Sequence, residues 1–163
     1  MNKGHIALKL FLDQLKIPLE VETLDDRKRV QKAVYLGQLT GVDLGYRFGW
    51  YIMGPYCTRL TRDYFSLAES LASGDRGWEG KHLIRPARDA LSPIIGVLSV
   101  PAEVSLSQED WLELVASLHY LMTVSKLDKQ AAYEVLRKEK QHVCAFTEEA
   151  EEALSGQGFL ERD

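Results

Sequence analysis

Disulfide chemistry has almost no foothold in this sequence. Its 163 residues hold two cysteines, Cys57 and Cys144, too few and too far apart for a disulfide scaffold, so a reduced, cytoplasmic setting is expected. Long apolar runs are missing as well. No stretch nears the roughly 20 apolar residues that span a bilayer, so no membrane partner is expected. Lys9 and Asp13 interrupt the first apolar segment, and its helical spacing differs from that of a signal peptide. There is no repeat and no low-complexity tract.

Recognisable catalytic and ligand motifs are also lacking. The four histidines, His5, His82, His119 and His142, are scattered, and none forms a two-histidine metal motif on a helix. His142 and Cys144 lie two apart, but no second pair completes a four-ligand set. The stretch 74–80 has neither Walker nor dinucleotide spacing. No metal, cofactor or catalytic site is therefore expected. Cys57 alone invites a nucleophile reading, because a thiol at a helix start is acidified by the dipole. The plainer reading makes it a small residue at a helix cap.

What is present is the composition of an ordinary folded chain, 45% hydrophobic and 27% charged, with net charge −4. That balance speaks against wholesale nucleic-acid binding, but the charge is uneven. Arg27, Lys28, Arg29, Lys32, Arg47, Arg59 and Arg62 face only Asp43 across residues 27–62. At the other end Glu148, Glu149, Glu151, Glu152, Glu161 and Asp163 face only Arg162. Two solvated faces, a polyanion-binding patch or a self-masking acidic tail all fit this asymmetry.

Apolar spacing predicts a mainly helical (α+β) fold, a compact single domain over 1–163 with about six to seven helices and a small β ribbon. Leu8, Phe11, Leu12 and Leu15 mark a first helix over 5–16, ending before Pro18. Asp25 or Asp26 caps a second, with Val30, Ala33, Val34, Leu36 and Gly37 inward and Gly41 as its stop. Tyr46, Phe48, Trp50 and Ile52 alternate with more polar positions, predicting one strand over 46–53 with those four on its buried face. Gly54 and Pro55 then turn the chain into a third helix carrying Leu60, Tyr64, Leu67 and Leu71. A side chain at Gly54 is expected to cost far more than an alanine at Gly37. His82–Ile84 is predicted as a short strand, and Pro93 as a kink or a new start in the next helix. Ser107 with Asp110 opens the strongest helix, bearing Trp111, Leu114, Val115, Leu118, Leu121 and Met122. Helices over 128–140 and from Thr147 to Gly156 follow.

Tyr51, Tyr56 and Trp78 cannot all share the buried aromatic face. Aromatics left at a surface are typical interface anchors, so these three are the expected partner-binding residues. The rival reading is a winged-helix-like regulator that sets Arg27, Lys28, Arg29, Lys32, Arg59 and Arg62 on DNA phosphates.

The segments 29–38 and 45–60 resemble small bacterial proteins of the YwgA-like kind. More distantly they are similar to the Panacea domain of SocA-like antitoxins. Lys32, Tyr35 and Leu36 match the lysine, x, x, tyrosine-leucine helix, and Gly54, Pro55 and Tyr56 match the turn. Cys57 departs from the pattern, where a serine usually caps the following helix. The likeness covers residues 27–70. It implies a non-enzymatic helical module of mobile or defence-associated bacterial loci, binding a protein partner such as a toxin or another defence component.

Overall fold

The computed structural model describes residues 1–161; Arg162 and Asp163, which belong to the acidic end noted above, lie outside the described residues. Among the described residues there are seven α-helices and one two-stranded antiparallel sheet. The helices are α1 (Lys3–Leu15), α2 (Leu24–Gln38), α3 (Thr58–Ala72), α4 (Arg85–Leu98), α5 (Gln108–His119), α6 (Lys129–Glu139) and α7 (Thr147–Gly156). The fold class read from apolar spacing is the one observed.

Local chemistry sets most helix ends. Thr23, not Asp25 or Asp26, caps α2, in a reciprocal capping box where its hydroxyl accepts from Asp26 N and the Asp26 carboxylate accepts from Thr23 N. Ser107 caps α5 by accepting from Asp110 N, and Asp128 caps α6 in the same way. Pro86 sits in the first turn of α4, which continues unbroken past Pro93. His82–Ile84 is irregular chain rather than a strand.

The core is one apolar cluster with members from all seven helices. Helix α5 is its axis: every residue from Trp111 to His119 is buried, and the helix packs against α2, α7 and the sheet. At its end the chain widens into a π-helical turn, Tyr120–Val124. Helix α1 lies across α2, α3 and α4. Where α1 meets α2 the helices touch closely enough that a Cβ on Gly37 would come 2.4 Å from Phe11 Cζ. Gly37 is therefore a close-approach position, not the tolerant one expected.

The aromatic segment departs from expectation. Instead of one strand over 46–53 there are two of three residues, β1 (Gly49–Tyr51) and β2 (Gly54–Tyr56), with Trp50 opposite Pro55. The chain reverses at Ile52 and Met53, and α3 starts only after β2. Tyr46 is buried and Phe48 and Trp50 are half-buried, but Ile52, expected inside, is 93% exposed at the hairpin tip. The reversal after Tyr51 ends the alternation that would have turned Ile52 inward.

Candidate functional site

A two-stranded ribbon this short does not hold its shape alone. Side chains from the surrounding helices grip it by its main chain. From α2, Gln31 accepts from Cys57 N at 3.0 Å and donates to Cys57 O at 2.9 Å, standing in for a neighbouring strand. The next residue, Lys32, donates to Pro55 O at 2.6 Å. At the end of α2, Gln38 accepts from Leu44 N and Tyr46 N and donates to Tyr46 O. From just beyond α6, Lys140 donates to the carbonyl of Ile52 and lies 5.6 Å from the Trp50 ring centre. The bonds to Cys57 and Pro55 are buried and satisfy main-chain groups that would otherwise lack partners.

Beneath the hairpin lies an ionic cluster centred on Glu113, which is 1% exposed. Its Oε1 accepts from Lys28 Nζ at 2.9 Å and sits 3.0 Å from His142 Nε2; Lys140 Nζ lies 3.0 Å from Oε2. That last approach is an ion contact without hydrogen-bond alignment, leaving Oε2 without a hydrogen-bond partner. Lys28 also reaches Asp110 Oδ1 at 2.6 Å. Burial works to raise the Glu113 carboxyl, but His142, Lys28 and Lys140 outweigh it and hold the group below its ordinary range. For Lys28, burial works downward and the two carboxylates more than compensate, so its pKa is raised. Asp110, Glu113 and His142 bring three potential metal-ligand atoms within 4.8 Å of one another. Two ammonium groups already occupy those carboxylates, however, so the set is built around lysines. Cys144 does not join it, turning instead to Gln141 O at 3.8 Å.

The other polar feature of the interior is a hydrogen bond of 2.7 Å between Tyr35 Oη and His119 Nδ1, inside an aromatic group with Phe48 and Tyr120. Burial brings His119 down to about 4, so its imidazole is neutral near pH 7. Burial also raises the Tyr35 phenol well above its usual value. The bond therefore joins a neutral phenol to a neutral imidazole.

The sequence-derived candidates are dispersed by the fold. Tyr51 is 52% exposed and stacks edge-on against Tyr56 at 5.2 Å, beside the hairpin tip. Trp78 lies in the α3–α4 loop, with Lys9 of α1 4.6 Å from its ring centre. The basic residues do not form one exposed patch. Lys28 and Lys32 are buried, and Arg27 donates to the carbonyls of Val21 and Glu22. Arg29 pairs with Glu109 at 3.2 Å. Arg59 and Arg62 are exposed, and the Arg59 guanidinium lies 4.6 Å from the Tyr46 ring centre. What neutralises the basic run is Glu109, Asp110 and Glu113 of α5. Among the described residues the acidic tail makes no ion pair with the basic run; Glu151 accepts from Tyr133 and pairs with Lys129. Cys57 is buried at the cap position of α3, without a side-chain capping bond, and its hydrogen bonds with Gln31 run through its main chain.

Sequence reasoning missed Gln31, Gln38, Glu113, Lys140 and His142. The one local signal for Glu113 was a carboxylate set between Leu112 and Leu114 on α5. No protein-family model matches this chain, and no curated protein or solved structure matches it either.

Proposed function

We propose that this chain is a non-enzymatic interaction module that presents the β1–β2 hairpin to a protein partner. The observation that carries the reading is Ile52, 93% exposed at a tip whose carbonyl is held by the buried Lys140. An exposed apolar tip on a rigid support offers contact area at little ordering cost, the usual character of an interface anchor. Tyr51 and Tyr56 extend the surface beside it. The polar groups underneath are committed to main-chain and ionic contacts, which favours a scaffolding role for them over a chemical one. The resemblance across residues 27–70 points to a bacterial toxin or another defence component as the partner class.

The DNA-binding reading has weaker support, since Lys28 and Lys32 are turned inward and Arg27 and Arg29 are engaged. Of the six, Arg59 and Arg62 alone are exposed. A tagged chain carrying a photo-crosslinker at position 52 tests the two readings together. One protein partner is expected to crosslink, with recovery lost in Ile52→Asp and reduced in Tyr51→Ala. Trp78→Ala reports whether the 74–80 loop shares that surface. Nanomolar DNA binding at physiological salt, lost on reversing Arg59 and Arg62 to Glu and with no protein crosslinked, would overturn the proposal.

A further inference from the structure

Among the described residues three lysines are buried, and one of them differs from the other two. Lys28 reaches Asp110 and Glu113, and Lys140 reaches Glu113. Lys32, 1% exposed, touches no carboxylate and donates only to the neutral carbonyl of Pro55. An ammonium buried without a counter-ion keeps most of its desolvation cost. Burial foremost, opposed by Glu113 and reinforced by Lys140 and Lys28, lowers Lys32 to about 7.

Lys32 also lines a cavity of about 130 Å³ between α2, α3 and the hairpin. Arg27 stands at the same cavity, with Nη1 spent on two carbonyls and no hydrogen bond from Nε or Nη2. Met53, Tyr64 and Phe65 supply apolar wall, and no carboxylate is among the lining residues. One wall is therefore cationic with donors to spare, Gln31, Tyr56 and Thr61 add neutral polar groups, and the rest is apolar. The volume suits about five or six non-hydrogen atoms, since a cavity of about 150 Å³ takes benzene.

We infer that this cavity is a binding site for a small aliphatic carboxylate, which supplies Lys32 with its missing counter-ion. The carboxylate oxygens face the Lys32 ammonium, with Arg27 adding to the positive wall, and a short alkyl tail lodges against Met53, Tyr64 and Phe65. Charge-assisted bonds of this kind are the strong ones in a low-dielectric pocket. The binding is independent of any protein partner, so it stands or falls apart from the hairpin reading.

The test is a titration of the full chain with butyrate, followed by amide chemical shifts. Saturable shifts confined to the surroundings of Lys32, with a dissociation constant of about 1 mM or tighter, are expected. Butyramide, the neutral isostere, and inorganic phosphate, which lacks the tail, should each bind at least about tenfold more weakly. Lys32→Met should lose the response, and Met53→Trp should block the cavity while leaving Lys32 in place. Butyrate affinity should also fall as pH rises through about 7, because the amine loses its charge. Around Lys32 the other titratable groups are Arg27 and Lys28 of α2, Tyr56 of the hairpin, Tyr64 of α3, Glu113 of α5 and Lys140 beyond α6. Loss of the pH dependence in Lys32→Met separates its titration from theirs. No saturable shift by about 100 mM butyrate, equal binding of butyramide, or unchanged binding in a folded Lys32→Met protein would overturn the inference.

Discussion

Gly54 faces Ser117 so closely that a Cβ on the glycine would lie 2.4 Å from the serine Oγ. Ser117 is fully buried on α5, and Gly54 begins β2, so this contact is where the hairpin seats on the central helix. Gly54 also has φ +91°, a region that L side chains rarely adopt. Two independent constraints meet at one residue.

Gly54→Ala is therefore expected to destabilise by about 2 kcal/mol or more, from left-handed strain plus displacement of Ser117. Gly37→Ala is not the benign comparison that its helical position suggests, given the Phe11 ring. Gly96 in α4, with nothing within 4 Å of an added Cβ, is the proper control. Gly96→Ala should stabilise by about 0.5–1 kcal/mol. Thermal melts of the three variants check this; similar small shifts for Gly54 and Gly96 would deny the seating contact.

Glu113→Gln should be among the most damaging single changes. Among the described residues it leaves Lys28 with Asp110 alone and removes the only carboxylate in contact with Lys140, and breaking a buried pair costs about 3–5 kcal/mol. Because the folded-state pKa of Glu113 lies below its ordinary 4.5, the native protein should hold this stabilisation above that value. The stabilisation is then lost as pH falls through the depressed folded value. Denaturant melts below about pH 4.5 should show a steep loss in the native chain and a shallower one in the variant.

A separate acid limb belongs to His119. Its folded value of about 4 lies below the ordinary 6.5, so the unfolded chain takes up the proton first. Stability from this group is complete above pH 6.5 and declines as pH falls toward 4, by about 3 kcal/mol at most. His119→Gln keeps an acceptor for Tyr35 and should flatten the profile in that window. A native profile already flat between those values would contradict the buried neutral imidazole.

Cys57→Ser is expected to leave partner binding unchanged and to add up to about 1 kcal/mol, since serine supplies the capping oxygen that α3 lacks. Chemical denaturation and the crosslinking assay together decide it. A folded Cys57→Ser protein without function would return the thiol to consideration as a reactive group.

The sequence by itself determined the helices. Apolar residues at 3.6-residue spacing report a buried stripe wherever the helix packs, and Thr23, Ser107 and Asp128 act within their own first turns. Those are local relations, and all of them are present in the linear chain. The hairpin was not legible, because its main-chain partners are side chains from distant segments: Gln31, Lys32 and Gln38 on α2, and Lys140, which is 88 residues from Ile52. The meaning of the basic run was equally hidden. Lys28 and Lys32 read as an exposed patch until the packing of α2 against α5 set Glu113 and Asp110 beside Lys28, 85 and 82 residues away. Composition counts charges, but only tertiary packing decides which of them leave water and which buried cation is left without a counter-ion.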